Sequence, residues 1–116
     1  MPVVLSTGRE SLALAACVDT GASFCIFRRE HGEALGLSIE RGHRQRVRTP
    51  TGVFETFGHS VSLSVLDLDW ECVVYFAAEL HLARAVLGRS GFLDRVRLAL
   101  IDYDRSLYLS AYNGRG

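Results

Sequence analysis

Short apolar segments bounded by turn residues recur along the chain with the two-residue period of β-strands. Residues 61–65 alternate valine and leucine with serine, and residues 70–76 are rich in β-branched and aromatic side chains. Further strands are predicted at residues 3–5, 12–18 and 24–27, with turns at residues 7–10 and 67–69. Residues 28–35 predict a short helix that ends at Gly36.

Two hairpins are predicted in the rest of the chain. The turn Thr49-Pro50-Thr51-Gly52 separates two short strands and predicts a hairpin over about residues 44–57. One helical turn at residues 92–94 is followed by alternating segments that predict a C-terminal hairpin over about residues 95–112. No repeat or linker interrupts this pattern. Residues 1–116 are therefore predicted to form a single, mostly β domain with one or two short helices.

Composition and net charge limit the classes of binding partner that we expect. The 116 residues suit one compact domain, and a formal net charge of zero gives no electrostatic reason to expect nucleic acid or a membrane surface as a partner. All 13 basic residues are arginine, which excludes lysine-based chemistry such as Schiff-base formation.

The cysteines and histidines argue against a disulfide scaffold and against a metal site. Three cysteines without CxxC spacing indicate a reducing, cytoplasmic location, and the apolar runs around Cys17 and Cys72 predict buried, inert thiols. The four histidines form no pair with zinc-ligand spacing, so we expect neither a metal nor another cofactor. No apolar run approaches the ~20 residues that span a membrane, and no signal peptide is expected at the start.

One segment carries candidate chemistry. The apolar run that ends at Val18 is followed by Asp19-Thr20-Gly21-Ala22-Ser23. A carboxylate that a buried strand delivers into a glycine-containing loop is costly unless it is paired or hydrogen-bonded. On this motif alone, a turn in which Asp19 accepts backbone N–H bonds explains the residues as well as a catalytic role does.

Two further features accompany this motif. The predicted hairpin at residues 44–57 follows it, and Ala85-Val86-Leu87-Gly88-Arg89 places a glycine and an arginine after apolar residues. The three features in this order, from residue 3 to about residue 109, resemble the retropepsin-like aspartic proteases of the bacterial and cellular single-lobe branch. The resemblance implies an all-β, acid-protease fold: one lobe built as a closed β-barrel, with one or two short helices.

The resemblance also implies roles for the loop residues. Asp19 would be the catalytic carboxylate, and Thr20 would brace the loops of two subunits across a dimer axis. Gly21 would present its backbone to the substrate, and Ala22 would lie beside the catalytic loop.

A flap and a supporting segment are implied in the same way. The tip of the flap over the substrate would be formed by Thr49, Pro50, Thr51, Gly52 and Val53. Gly88 and Arg89 would lie behind the site as structural residues. Apolar pockets would be lined by Ile26, Val53 and Val86.

The chemistry of amide hydrolysis requires more than one aspartate. A base must activate water while an acid protonates the carbonyl oxygen and then the leaving amine. Two carboxylates that share one proton do both, because like charges at that distance cannot both ionise, and the pair titrates as a unit. The chain has one such motif, so the protease interpretation requires a homodimer with Asp19 of each subunit at a two-fold axis.

The sequence departs from the viral pattern at three places. The N-terminal strand of the viral enzymes is expected to be missing, because the chain begins near Pro2, and the C-terminal hairpin is expected to supply the dimer sheet. Ser23 stands where those enzymes carry an aspartate that pairs with the arginine after the late glycine. Arg89 is therefore expected to lack its usual partner, unless Asp94 or a neighbour of Asp19 compensates.

These observations together predict an aspartic endopeptidase that acts on protein or peptide substrates. Two alternatives stay open: a retropepsin-fold dimerisation or peptide-binding module with little or no proteolysis, and a small β-barrel binding module in which Asp19 only caps a turn. Inhibition by a statine-type transition-state mimic separates the enzyme from both.

Overall fold

The computed structural model describes residues 1–49, 52–80, 84–97 and 101, and in this part of the chain β-strands dominate. The strands are β1 Pro2–Ser6, β2 Ser11–Ala15, β3 Cys17–Val18, β4 Ile26–Phe27, β5 His43–Thr49, β6 Gly52–Val65, β7 Leu68–Ala77 and β8 Val86–Leu87. The helical elements are α1 at Arg29–Ala34, a 3₁₀ turn at Ile39–Arg41 and a helical segment at residues 93–97. None of the helices in the described ranges is long and apolar enough to cross a membrane.

The strands form one sheet with an open order. Neighbouring strands follow the order β2-β1-β6-β7-β4-β8-β3, and β5 also pairs with β6. Most pairs are antiparallel, whereas β3 lies parallel to β8 and β4 lies parallel to β7. The mostly β prediction is confirmed, but the predicted closure into a barrel is not, since β2 and β3 remain the two ends of the order among the described residues.

Two hairpins share the long strand β6. Strand β5 pairs with its first half in a register that runs from His43 opposite Gly58 to Thr49 opposite Gly52, so the hairpin predicted at residues 44–57 is present. Strand β7 pairs with β6 from Thr56 onward. The turn between β6 and β7 consists of Leu66 and Asp67, with Leu66 at φ 57, so it begins one residue earlier than the predicted turn.

The apolar run at residues 12–18 forms two strands rather than one. Strand β2 pairs with β1 along its whole length, whereas β3 pairs with β8 at the other end of the sheet. The break falls at Ala16, which is buried and whose N–H donates to the Met1 carbonyl oxygen at 2.9 Å. The change of partner delivers the chain after Val18 to the far edge of the sheet.

Helix α1 confirms the predicted helix and its glycine end. Gly36 has φ +78, its N–H donates to the carbonyl of Glu33, and the Leu37 N–H donates to the carbonyl of Gly32. This pair of bonds satisfies carbonyl groups that the end of a helix leaves free. The Arg29 guanidinium donates to both carboxylate oxygens of Glu40 and to the Ala78 carbonyl oxygen at 2.8 Å, which ties the helix to the end of β7.

The C-terminal segment differs from its prediction where it is described. Residues 93–97 are helical, extending the predicted turn at 92–94, whereas a strand was expected from about residue 95. The Val96 N–H donates to the Phe92 carbonyl at 2.8 Å, and both side chains pack against the core. The remainder of the predicted C-terminal hairpin, apart from residue 101, lies outside the described residues.

The core is formed mainly by side chains of the sheet, with Leu35, Ile39 and Phe92 packed among them. Its largest fully buried side chains are Phe27, Phe76, Leu5, Ile39, Leu63, Leu87 and Val74. Leu87 and Phe27 belong to the short strands beside the Asp19 loop, so the same core that stabilises the sheet also fixes the strands that flank the candidate site.

Candidate active site

Asp19 begins a tight loop at the end of edge strand β3. Its N–H donates to the Leu87 carbonyl oxygen at 2.9 Å, and its own carbonyl accepts the Ala22 N–H at 3.1 Å. The carboxylate Oδ1 accepts the Gly21 N–H at 2.9 Å. This bond holds the carboxylate in place, and because the side chain is exposed, the carboxylate is also open to solvent. The turn that the sequence predicted is present, and it leaves one carboxylate oxygen available for chemistry.

Residues 85–90 run alongside both limbs of this loop. The Cys17 N–H donates to the Ala85 carbonyl, and the Arg89 and Ser90 N–H groups donate to the carbonyls of Ala22 and Ser23, each at 2.9 Å. Together with the bond from Asp19 to Leu87, these bonds connect the loop to β8 and to the residues directly after it.

Gly88 lies at the crossing between the two limbs. A Cβ at this position would collide with the Phe24 carbonyl oxygen and would lie 2.8 Å from the Ala22 carbonyl oxygen. Both obstacles are backbone atoms that cannot rotate away, so the crossing requires glycine. The predicted supporting role of Gly88 has this physical basis.

The other loop residues are mostly open to solvent. Thr20 and Gly21 are exposed, Ala22 is half-buried, and Val18 before the loop is 44% exposed although it belongs to a strand. A Cβ on Gly21 would lie 3.3 Å from the Asp19 Oδ1, so a side chain here would press on the carboxylate itself.

The Arg89 side chain has a partner in the loop, and that partner carries no charge. Its Nη2 donates to the Ser23 Oγ at 3.2 Å, so Arg89 lacks the expected aspartate among the described residues but is bonded to the serine that replaces it. Asp94 does not replace the missing aspartate, because its Oδ1 accepts the Gly91 N–H at 3.0 Å. The bond between the Ser23 hydroxyl and the Arg89 guanidinium was not expected from the sequence.

The predicted flap residues belong to the hairpin of β5 and β6. This hairpin is part of the same sheet as the strands that flank the Asp19 loop. Thr49 and Gly52 end and begin the paired strands, Val53 is 57% exposed, and Pro50 and Thr51 lie outside the described residues. A cleft of about 450 Å³ lies between this hairpin and the residues after β7, and it is lined by Arg46, Val53, Phe54, Glu55, Ala78 and Glu79.

The predicted apolar pocket differs from this cleft. Ile26 is buried and Val86 is half-buried, so of the three predicted lining residues only Val53 borders the cleft. The sequence did not lead us to expect charged residues in the lining of the cleft. The alternation Arg44-Gln45-Arg46-Val47-Arg48 could have indicated them, because it places three arginines on one face of β5.

The cysteines do not form a second reactive centre in the described ranges. Burial raises the pKa of the Cys25 thiol to about 12, and it raises the pKa of Cys72 as well, so both thiols stay protonated. Cys17 is exposed, which corrects the prediction that it is buried, because β3 is an edge strand. No cluster of three or more histidine, cysteine or acidic side chains suited to a metal ion occurs in the part of the chain that the structure describes.

Comparison with known proteins agrees with this geometry. A solved structure of the EIAV protease, in complex with the inhibitor HBY-793, is similar to this chain with a TM-score of 0.57 at 20% sequence identity. The similarity covers 77% of this chain and 79% of that one, and at this identity it shows the fold. No protein among the curated sequences matches the chain.

The family itself is shown by sequence. The profile of the family described as aspartyl protease matches residues 6–90, which include the Asp19 loop, the hairpin and the crossing at Gly88. The predicted resemblance is confirmed, and the chain belongs to the aspartyl protease family.

Proposed function

We propose that the protein is an aspartic endopeptidase whose active site forms between two copies of the chain. The observation that carries this proposal is the Asp19 carboxylate, exposed at the end of an edge strand and held by the Gly21 N–H. A carboxylate fixed in this way can meet its equivalent from a second subunit across a two-fold axis.

The exposed surface around the loop supports a dimer. Cys17, Val18, Asp19, Thr20 and Gly21 form a continuous exposed stretch, and Val18 is an apolar side chain at an edge. A second copy would cover this stretch and bring the two loops together, with Thr20 of each subunit available to brace the other. The cytoplasmic location is part of the proposal, since Cys17, Cys25 and Cys72 are all free thiols.

The proposed reaction uses the two carboxylates as one base and one acid. The ionised carboxylate takes a proton from water as the oxygen attacks the carbonyl carbon, and the protonated carboxyl gives its proton to the carbonyl oxygen. The carboxyl that took the proton from water then gives it to the nitrogen, the other carboxylate takes back the hydroxyl proton of the tetrahedral intermediate, and the C–N bond breaks to release the amine and the carboxylic acid. The Gly21 N–H of each loop would hold the carboxylate of its own subunit.

The test is cleavage of a peptide library by the purified protein, followed by mass spectrometry, between pH 4 and 7. Asp19→Asn keeps the oxygen that accepts the Gly21 N–H but cannot act as a base, so cleavage should fall by roughly 10³-fold or more with folding intact. The matched control is Asp67→Asn, which removes an exposed carboxylate in the turn between β6 and β7.

Two results would contradict the proposal. Cleavage by Asp19→Asn at the unmodified rate would exclude this aspartate as the catalytic group. Peptide binding without any cleavage by the unmodified protein would instead select the binding module. A statine-type peptide, whose hydroxyl imitates the tetrahedral intermediate, should inhibit the enzyme and provides an independent check.

A further inference from the structure

The positive charge of Arg89 lies beside the Asp19 loop, and no described acidic side chain forms an ion pair with it. Its backbone N–H donates to the Ala22 carbonyl and its Nη2 donates to the Ser23 Oγ, so both ends of the residue are fixed to the loop. Across residues 1–49, 52–80, 84–97 and 101, no carboxylate lies within 4.0 Å of its guanidinium. The residue is exposed, and its bond to Ser23 uses one of the five N–H donors of the guanidinium.

Three other arginines in the described ranges have acidic partners. Arg29 pairs with Glu33 and Glu40, and Arg44 and Arg46 both approach Glu55. Two acidic side chains in the segments around Arg89 accept backbone bonds, since Asp94 accepts the Gly91 N–H and Asp19 accepts the Gly21 N–H. In the described part of the chain, Arg89 therefore presents a charge without an acidic partner, held by two bonds to the loop that begins at Asp19.

We propose that Arg89 selects peptide substrates that carry an aspartate or glutamate a short distance from the cleaved bond. This inference rests on the proposed function and adds the class of substrate. A guanidinium binds a carboxylate in a fork of two N–H···O bonds, which a neutral amide side chain cannot match in charge.

The distance along the loop sets the position of the acidic residue. Ser23 follows Asp19 by four residues, which span at most about 14 Å, and the bond from Ala22 to Asp19 shortens the path. An extended peptide advances about 3.3 Å per residue. The acidic side chain should therefore lie within about four residues of the cleaved bond. A two-fold dimer has one Arg89 on each side, so the preference should hold on both sides of that bond.

The test uses peptide pairs that differ only by glutamate against glutamine at these positions. In the unmodified protein, kcat/KM for the glutamate peptide should exceed that for the glutamine peptide by roughly three- to tenfold, as expected for a partly exposed charged pair. The ratio should shrink as salt is raised from low to physiological concentration and above. Arg89→Gln should bring it to about one, and Arg89→Lys should keep part of it.

A second variant removes the free charge without touching Arg89. Ser23→Asp places a carboxylate at the atom that now accepts the Arg89 bond, so the ratio should also fall to about one, while Ser23→Asn should retain it. A role for Arg89 in folding alone would leave the ratio at one in every protein, including the unmodified one. That result, or a glutamate preference that survives both Ser23→Asp and Arg89→Gln, overturns the proposal.

Failure of the proposed function is separated from failure of this inference by a binding measurement. The same labelled peptides are titrated into Asp19→Asn, and affinity is followed by fluorescence anisotropy. Tighter binding of the glutamate peptide, lost in Asp19→Asn combined with Ser23→Asp, supports the acidic preference even where no peptide is cleaved. Equal affinity for both peptides overturns it, whether or not the unmodified protein is a protease.

Discussion

The backbone of Gly88 passes so close to the carbonyl group of Phe24 that no side chain fits between them. This contact holds the end of β8 inside the loop that begins at Asp19, and the bonds from Asp19 to Leu87 and from Arg89 to Ala22 lie on either side of it. The position of the candidate catalytic carboxylate therefore depends on a close backbone approach far away in sequence.

Gly88→Ala should destabilise the fold and abolish cleavage. The added methyl group meets backbone oxygens of Phe24 and Ala22, which cannot move without breaking the loop, so the free energy of unfolding should fall by about 3 kcal/mol. Urea denaturation measures this change. The control is Gly8→Ala, where no atom lies within 4 Å of the new methyl group, and equal stability of the two variants would show that the crossing is not constrained.

Ala22→Ser should allow cleavage to continue at a lower pH than in the unmodified protein. The Asp19 carboxylate accepts the Gly21 N–H, and a hydroxyl at the next residue offers a second donor to the ionised form. Stabilising the ionised form lowers the apparent pKa of the carboxylate pair, so the acid limb of the kcat/KM profile should move down. Ala22→Val adds bulk without a donor and should leave the limb in place or raise it. An acid limb that rises in Ala22→Ser would refute this account.

Mixing the unmodified protein with Asp19→Asn tests whether two carboxylates form the site. With free exchange well above the dissociation constant, an equal amount of the variant puts about half of the unmodified chains into mixed dimers with one working carboxylate. Total activity should therefore fall to about half, and it should fall further with more variant. Unchanged activity would mean that each chain works alone. Dilution of the unmodified protein should also reduce activity per chain, while circular dichroism reports intact secondary structure.

His31 should make the protein less stable as the solution is acidified. Its Nδ1 is buried with no hydrogen-bond partner in the described structure, and burial lowers the pKa of the ring below its ordinary value of 6.5. The unfolded chain then binds more protons than the folded one, so stability falls as the pH drops from about 6.5 through the lowered pKa. Glu30 opposes this shift and Arg28 adds to it, both by charge.

Replacing His31 isolates this contribution. His31→Leu removes the titrating group and the unsatisfied nitrogen, so the loss of stability between pH 7 and pH 5 should become smaller. Thermal unfolding at several pH values measures it, with His43→Leu on exposed strand β5 as the control. A pH dependence as steep in His31→Leu as in the unmodified protein would assign the effect to other groups.

The features that the sequence determined by itself are those with local causes. Alternation of valine and leucine with serine predicted a strand at residues 61–65, because each side chain of a strand faces the side opposite its neighbour's. Gly36 predicted the end of α1, since the left-handed backbone there favours glycine whatever surrounds it. The Asp19-Thr20-Gly21 motif likewise pointed to the family, because its residue types and order are visible without a fold.

The features that only the tertiary structure decided depend on which segments meet. The run at residues 12–18 breaks at Ala16 because β2 and β3 have different neighbours, and that choice leaves Cys17 exposed at an edge. Residues 93–97 are helical because Phe92, Leu93 and Val96 all reach the core at helical spacing, although Arg95 and Arg97 imitate the alternation of a strand. The hydroxyl partner of Arg89 is likewise set by contact across 66 positions, and no local propensity encodes such a contact.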